Sequence, residues 1–123
     1  MVAAISDNGG RSCINASAVV VPRYAAEIAD ALAQKLGPVQ PTRPDDPGAR
    51  LSGFANVKMA DFIDAQIEEG LKTAGAIDAT AKYRNGPRKA VFEGGTYMRP
   101  TIVQCDSFAH PLANKEFLCP YAS

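Results

Sequence analysis

The chain has 123 residues, 46% of them hydrophobic and 21% charged, which is the composition of one folded domain at most and excludes disordered, collagenous and membrane classes. Thirteen Lys plus Arg balance thirteen Asp plus Glu, so no whole-chain field gathers nucleic acid or anionic lipid, and any partner has to be recognised locally. The longest apolar runs, Met1 to Ile5 and Ala18 to Pro22, fall far short of the roughly 20 residues of a membrane helix. No secretory leader is visible, and a reducing cytoplasm is the expected compartment.

Along the chain, the β-branched run Ala18 to Val21 predicts a strand, stopped by Pro22, which suits the first turn of a following helix. That helix is expected over Pro22 to Leu36, with Tyr24, Ile28, Leu32 and Leu36 on one face, Lys35 at the negative end of its dipole, and Gly37-Pro38 as its stop. From Gly37 to Gly53, Pro38, Pro41, Pro44 and Pro47 recur every third residue, which excludes helix and predicts a long surface connection. The competing reading is a noncatalytic interaction module that offers these prolines to a partner. A second helix is expected from about Asn56 to Ala74, striped by Met59, Ile63, Ile67 and Leu71, broadened by Ala60, Phe62 and Ala74, and capped by Gly75. Gly70 inside it costs on the order of 1 kcal/mol against Ala, which predicts close packing against a neighbour.

Lys82 to Lys89 is a basic segment with Asn85-Gly86 as a turn pair; the balanced charge favours a solvated turn over a nucleic-acid patch. Strands are expected over Lys89 to Phe92 and Thr101 to Cys105, separated by Gly94, Gly95 and Pro100. This alternation predicts an α/β fold with a mainly parallel sheet flanked by helices.

Cys13, Cys105 and Cys119 are odd in number and show no C-x-x-C pairing, so a disulfide framework is not expected. In Asn8-Gly9-Gly10-Arg11-Ser12-Cys13, glycines allow close approach of backbone to a substrate and Arg11 is a nearby cation that could favour a thiolate. Cys13 is therefore a candidate nucleophile, against the alternative of a small buried apolar residue. A Cys13–His110 dyad of a thiol hydrolase is a second enzyme reading, and Cys105, Asp106, His110 and Cys119 are a metal reading without paired ligand loops.

The segment Asn8 to Cys13 resembles the surroundings of the nucleophilic cysteine in the aldehyde dehydrogenase superfamily. Ile14 to Val21 and Tyr24 to Leu36 are similar to the strand and helix that follow it there. Gly95-Thr-Tyr-Met-Arg-Pro-Thr-Ile-Val103 resembles the family's aromatic-x-x-Pro-Thr-hydrophobic strand, and Lys115-Glu116-Phe117-Leu118-Cys119-Pro120 its Glu-Glu-Ile-Phe-Gly-Pro motif.

The resemblance implies that residues 1–123 form part of a catalytic domain, with the cofactor-binding domain largely absent. It implies oxidation of a small-molecule aldehyde with NAD or NADP by a larger enzyme, commonly a homo-oligomer, with no nucleic-acid or membrane partner. Cys13 would be the nucleophile and hold the oxyanion on its N–H, Glu116 would bind the nicotinamide ribose hydroxyls, and Leu118 would pack near the nicotinamide. The general base and the second oxyanion donor fall outside the matched segment, so the isolated chain is expected to be inactive. Arg11, Leu118 and Cys119 depart from the family's Gln, Phe and Gly.

Overall fold

The computed structural model describes residues 1–123. Its elements are α1 (Val2–Ser6), a tight turn over Asp7–Gly10, α2 (Ala25–Leu36), α3 (Val57–Leu71), β1 (Ala76–Asp78), β2 (Lys89–Phe92), β3 (Gly95–Met98), β4 (Thr101–Cys105), a 3₁₀ turn (Pro111–Asn114) and β5 (Tyr121–Ala122). The fold is α/β, as expected. In the main sheet the order is β1-β4-β5: β1 runs antiparallel to β4, and β5 parallel to it. β2 and β3 form a separate antiparallel hairpin, turned at Glu93-Gly94, both with positive φ.

Side-chain alternation in the central strands builds three layers. Val103 and Tyr121 face α3, where they join Ala60, Ile63, Ile67, Met98, Leu112 and Cys119 in one core. Ile102 and Ala122, their neighbours in sequence, face the other way and pack with Ile5, Ala29, Leu32 and Leu36. A strand covered on both faces has no polar side to show water, which is why β4 reads as Thr-Ile-Val rather than as an alternating pattern.

Both long helices are shorter than their apolar patterns. α2 starts at Ala25, not at Pro22, because Tyr24 holds a left-handed backbone (φ 65°) and points into solvent instead of continuing the face of Leu32 and Leu36. α3 is capped at its start by the Asn56 side chain, which accepts from the Lys58 N–H at 3.0 Å. It ends at Leu71, short of Ala74, so Gly75 is not its cap. Its buried line is Ala60, Ile63, Ile67 and Gly70. Steps of three and four follow the helix better than the steps of four used to draw the stripe, and Met59 and Phe62 are exposed.

Gly70 is a packing contact, as its sequence context predicts: a Cβ there would stand 2.4 Å from Leu112 Cγ. Gly70→Ala should therefore cost about 1–3 kcal/mol by overpacking, read as a lower urea midpoint, even though alanine is the better helix former.

The run Ala18 to Val21 does not become a full strand. It is extended, and it makes one parallel rung: the Val19 N–H donates to the Ser123 carbonyl at 2.9 Å, and the Ser123 N–H to the Ser17 carbonyl at 3.1 Å. The proline-rich stretch has no helix or strand and is mostly exposed beyond Thr42, although Pro41 is buried. Its end is tied down where the Phe54 N–H donates to the Thr96 carbonyl at 2.8 Å.

The basic segment is neutralised by the fold rather than by water. Lys82 pairs with Asp30, Arg84 with Asp78, Arg88 with Asp64 and Glu68, and Lys89 with Asp61. The Arg84–Asp78 pair is buried, with side chains 6% and 8% exposed, so part of this segment is core and not a solvated turn. No helix is long and apolar enough to cross a membrane.

Candidate active site

The chemistry around Cys13 begins with left-handed backbone, which favours glycine and, among other residues, asparagine. Asn8, Gly9 and Gly10 have φ values of 53°, 65° and 69°, a left-handed run that reverses the chain after α1. The same glycines are in contact with other parts of the chain. A Cβ on Gly9 would lie 2.4 Å from Ser52 Oγ, and one on Gly10 would lie 2.4 Å from the Pro120 nitrogen and 2.6 Å from the Cys119 carbonyl carbon. The turn that leads to Cys13 is thus stacked on the backbone of the Lys115–Pro120 motif from the far end of the sequence, and the end of the proline-rich loop closes a third side.

Cys13 itself is exposed, in a turn closed by the Asn15 N–H donating to the Ser12 carbonyl at 3.0 Å. Asn15 holds this turn in place: its Oδ1 accepts from the Ser12 N–H at 2.9 Å, and its Nδ2 donates to the carbonyls of Ala4 and Asp7 at 3.0 and 3.1 Å. Asn15 was not singled out from sequence, where an Asn two residues after the cysteine carried only a generic turn signal. The N–H of Cys13 has no hydrogen-bond partner, so a donor stands beside the sulfur and is free for an oxyanion.

Arg11 does not serve the thiol. Its Nη1 donates to the Gly53 carbonyl at 2.9 Å, and its guanidinium lies 6.0 Å from the Phe54 ring centroid. The cation next in sequence is held by the neighbouring loop, and no hydrogen bond links it to Cys13.

In the Lys115–Pro120 segment, Lys115–Phe117 belongs to no helix or strand and Leu118–Pro120 bend into β5, where the Tyr121 N–H donates to the Cys119 carbonyl at 2.7 Å. Phe117 turns inward, edge-on to Tyr121 with centroids 4.9 Å apart, and Cys119 and Pro120 are buried. Glu116 and Leu118 are both exposed, Leu118 at 54%, and the Glu116 carboxylate makes no hydrogen bond or ion pair.

The other thiols have different surroundings. Burial pushes the Cys119 thiol up to about 12, and burial, reinforced by the Asp106 carboxylate, raises that of Cys105. Neither is poised to ionise near neutral pH. Limited alkylation at pH 7.5 should modify Cys13 at least about tenfold faster than Cys105, and Cys119 only on unfolding, as peptide mapping would show.

His110 is not a partner of Cys13. It is buried, with Nε2 3.1 Å from the Thr73 carbonyl, which accepts, and Nδ1 accepting from the Leu112 N–H at 3.1 Å, where it caps the Pro111–Asn114 turn. The sulfur near it belongs to Cys105, 3.9 Å from Nδ1. The imidazole that the dyad reading required is thus committed to structure. Cys105, Asp106, His110 and Cys119 do not form a metal-ligand group, since no cluster of three or more His, Cys, Asp or Glu side chains is placed to hold an ion.

No protein-family model and no curated protein matches the chain. Solved structures do. An indole-3-acetaldehyde dehydrogenase in complex with NAD+ superposes with a TM-score of 0.76 at 24% identity, over 99% of this chain. The AldA indole-3-acetaldehyde dehydrogenase of P. syringae, a cysteine-to-alanine mutant in complex with NAD+ and IAA, superposes with a TM-score of 0.77 at 23% identity, again over 99%.

The chain carries the fold of a segment of an aldehyde dehydrogenase. It spans 24% of the length of these two structures. Superposition over almost every residue includes both ends of the chain, which meet where Gly10 lies on Pro120.

Proposed function

We propose that this chain is the nucleophile-bearing part of an aldehyde dehydrogenase catalytic domain, that Cys13 is the nucleophile, and that Glu116 and Leu118 face the nicotinamide end of the cofactor. The observation that supports this reading is the contact of Gly10 with Cys119–Pro120: Gly10 stands three residues before an exposed thiol with a free N–H, and Cys119 directly follows Leu118 in sequence. The fold shared with two NAD+-bound dehydrogenases supports it.

In this proposal the Cys13 thiolate attacks the aldehyde carbon. A carbon–sulfur bond forms, and the carbonyl electron pair moves to oxygen, where the Cys13 N–H meets the charge. The turn held by Asn15 keeps sulfur and N–H in a fixed relation, so little reorganisation accompanies attack. Bound NAD or NADP would supply the hydride acceptor. Loss of hydride from the former aldehyde carbon leaves an acyl thioester on Cys13, and water or coenzyme A takes the acyl group and returns the thiol.

Glu116 would hold the ribose diol through two accepted hydrogen bonds. Leu118 would give the nicotinamide an apolar edge. A homo-oligomeric complete enzyme belongs to the same proposal.

With no Gly-rich strand-turn-helix for a pyrophosphate within its 123 residues, the isolated chain should not reduce NAD+ or NADP+ in the presence of aliphatic or aromatic aldehydes. Turnover measured at the absorbance of the reduced cofactor would overturn the assignment of the cofactor site to another part of the enzyme. The half-reaction at Cys13 needs no cofactor site and is the more telling test. The chain should accept an acyl group from an activated ester at Cys13, and Cys13→Ser should remove that acceptor.

A further inference from the structure

Lys82, Arg84, Arg88 and Lys89 each pair with a carboxylate, but Arg99, against which their segment turns, pairs with none. Its Nε donates to Gln40 Oε1 at 2.8 Å and its Nη1 to the Pro87 carbonyl at 2.7 Å, both neutral acceptors, and its Nη2 makes no hydrogen bond. Gly86 lies against the guanidinium: its φ is 111°, and a Cβ there would stand 3.3 Å from Nη1 and 3.5 Å from Nη2. Burial, and then the charge of the neighbouring Arg84, lowers the Arg99 guanidinium from its ordinary range, as befits a cation that lacks a counter-charge. Arg99 stays partly exposed, so a small solute can reach it.

Two of the three buried side-chain polar atoms that lack a hydrogen-bond partner belong to its neighbours: Gln40 Nε2 and Arg84 Nε. Arg84 is 6% exposed, with Nη2 on Asp78 and Nη1 on Thr80 and the Pro100 carbonyl, so Nε is the one nitrogen of that side chain left over. Both orphans are donors, and only an acceptor satisfies them. The side edge of a guanidinium, moreover, presents Nε–H and one Nη2 N–H in parallel, a fork that suits two oxygens of an anion. At Arg99, Gln40 supplies a single oxygen, and the other arm of its amide is a further donor.

We infer that Arg99, Gln40 and Arg84 form a site for a small tetrahedral oxyanion of the phosphate kind. The Nη2 N–H groups of Arg99, Gln40 Nε2 and Arg84 Nε would donate to it, and its charge would offset that of Arg99. The donors are carried by three separate segments: the start of the proline-rich loop, the basic segment and the residue before Pro100. A tetrahedral group presents oxygens in several directions to such a set, whereas the acceptor sites of a carboxylate lie in one plane. The inference depends neither on Cys13 nor on the dehydrogenase reading.

The test is thermal unfolding of the chain in phosphate against chloride of equal ionic strength, with the arginine Nε–H signals followed by NMR. Phosphate should raise the Tm by at least about 2 °C and shift the Arg84 and Arg99 signals along a saturating curve. Gln40→Glu supplies the acceptor and the charge from within the chain, since a carboxylate takes both arms of the fork. Its Tm in chloride should exceed the parent's by at least about 3 °C, and phosphate should add nothing further. Arg99→Gln, a change at a partly exposed position, should fold and lose the phosphate response. The inference is overturned by a response to phosphate no larger than that to chloride, by an equal response to acetate, or by one that persists in Arg99→Gln. A Gln40→Glu chain less stable than the parent would overturn it as well.

Discussion

Gly10→Ala is expected to cost more than about 3 kcal/mol and to loosen the contact between the Cys13 turn and the Lys115–Pro120 segment. Two penalties combine at this residue. The backbone is left-handed at φ 69°, which disfavours any side chain, and the added Cβ would fall 2.4 Å from the Pro120 nitrogen and 2.6 Å from a backbone carbon. Backbone cannot rotate away as a side-chain tip can, so the two segments must separate.

Gly94→Ala is the internal control. Gly94 has φ 77° but nothing within 4 Å of its Cβ position, and its replacement should cost only the conformational part, about 1–2 kcal/mol. Urea unfolding of the two variants measures the difference. Equal losses would mean that the contact with Pro120 carries no weight.

Asp78→Asn is expected to destabilise the chain by about 3–5 kcal/mol, although it sits in a short strand at the sheet edge. The Asp78 carboxylate accepts from the Thr80 N–H at 3.0 Å and from the Thr80 hydroxyl, and pairs with Arg84 at 2.6 Å. Arg84 has no other carboxylate and is buried, so removal of the negative charge leaves a desolvated guanidinium without compensation. The Asp78→Asn/Arg84→Met double variant should recover part of the loss, since the uncompensated charge goes with it. Thermal unfolding of the single and double variants decides this. A double variant less stable than Asp78→Asn would show that Arg84 contributes through its hydrogen bonds to Thr80 and Pro100 rather than through its charge.

How much of this could be read from the residues depends on how local the cause was. β2 and β4 have the bounds expected from their β-branched runs, because each run is closed by turn-forming residues in sequence. Gly70 was legible as a contact because glycine inside a strong helical pattern needs a reason, though not that the reason is Leu112. α1 was missed, since five residues are too few to show a period, and β3 was missed by the residue pattern, where Gly95 reads as a separator although it is the first residue after a tight hairpin turn; only the resemblance put Gly95–Val103 in a strand. Ala18–Val21 has a strand's composition but only one rung beside it, and a strand is defined by its neighbours.

At the site, the glycine pair before Cys13 marks a special backbone and Glu116 reads as an exposed charge, while the pattern leaves the exposure of Cys13 itself open between a nucleophile and a buried residue. The direction of Arg11, the commitment of His110 to Thr73 and Leu112, and the contact of Gly10 with Pro120 are made by segments far apart in sequence. A linear pattern carries no information on these contacts.

Acyl transfer to the chain from p-nitrophenyl acetate, mapped by peptide mass spectrometry, tests most directly whether Cys13 is the attacking group. The account predicts a hydroxylamine-labile acetyl group on Cys13, absent from the Cys13→Ser variant while Cys105 and Cys119 stay unmodified. Acetylation of Cys105 ahead of Cys13, or an undiminished labile adduct in Cys13→Ser, would contradict it.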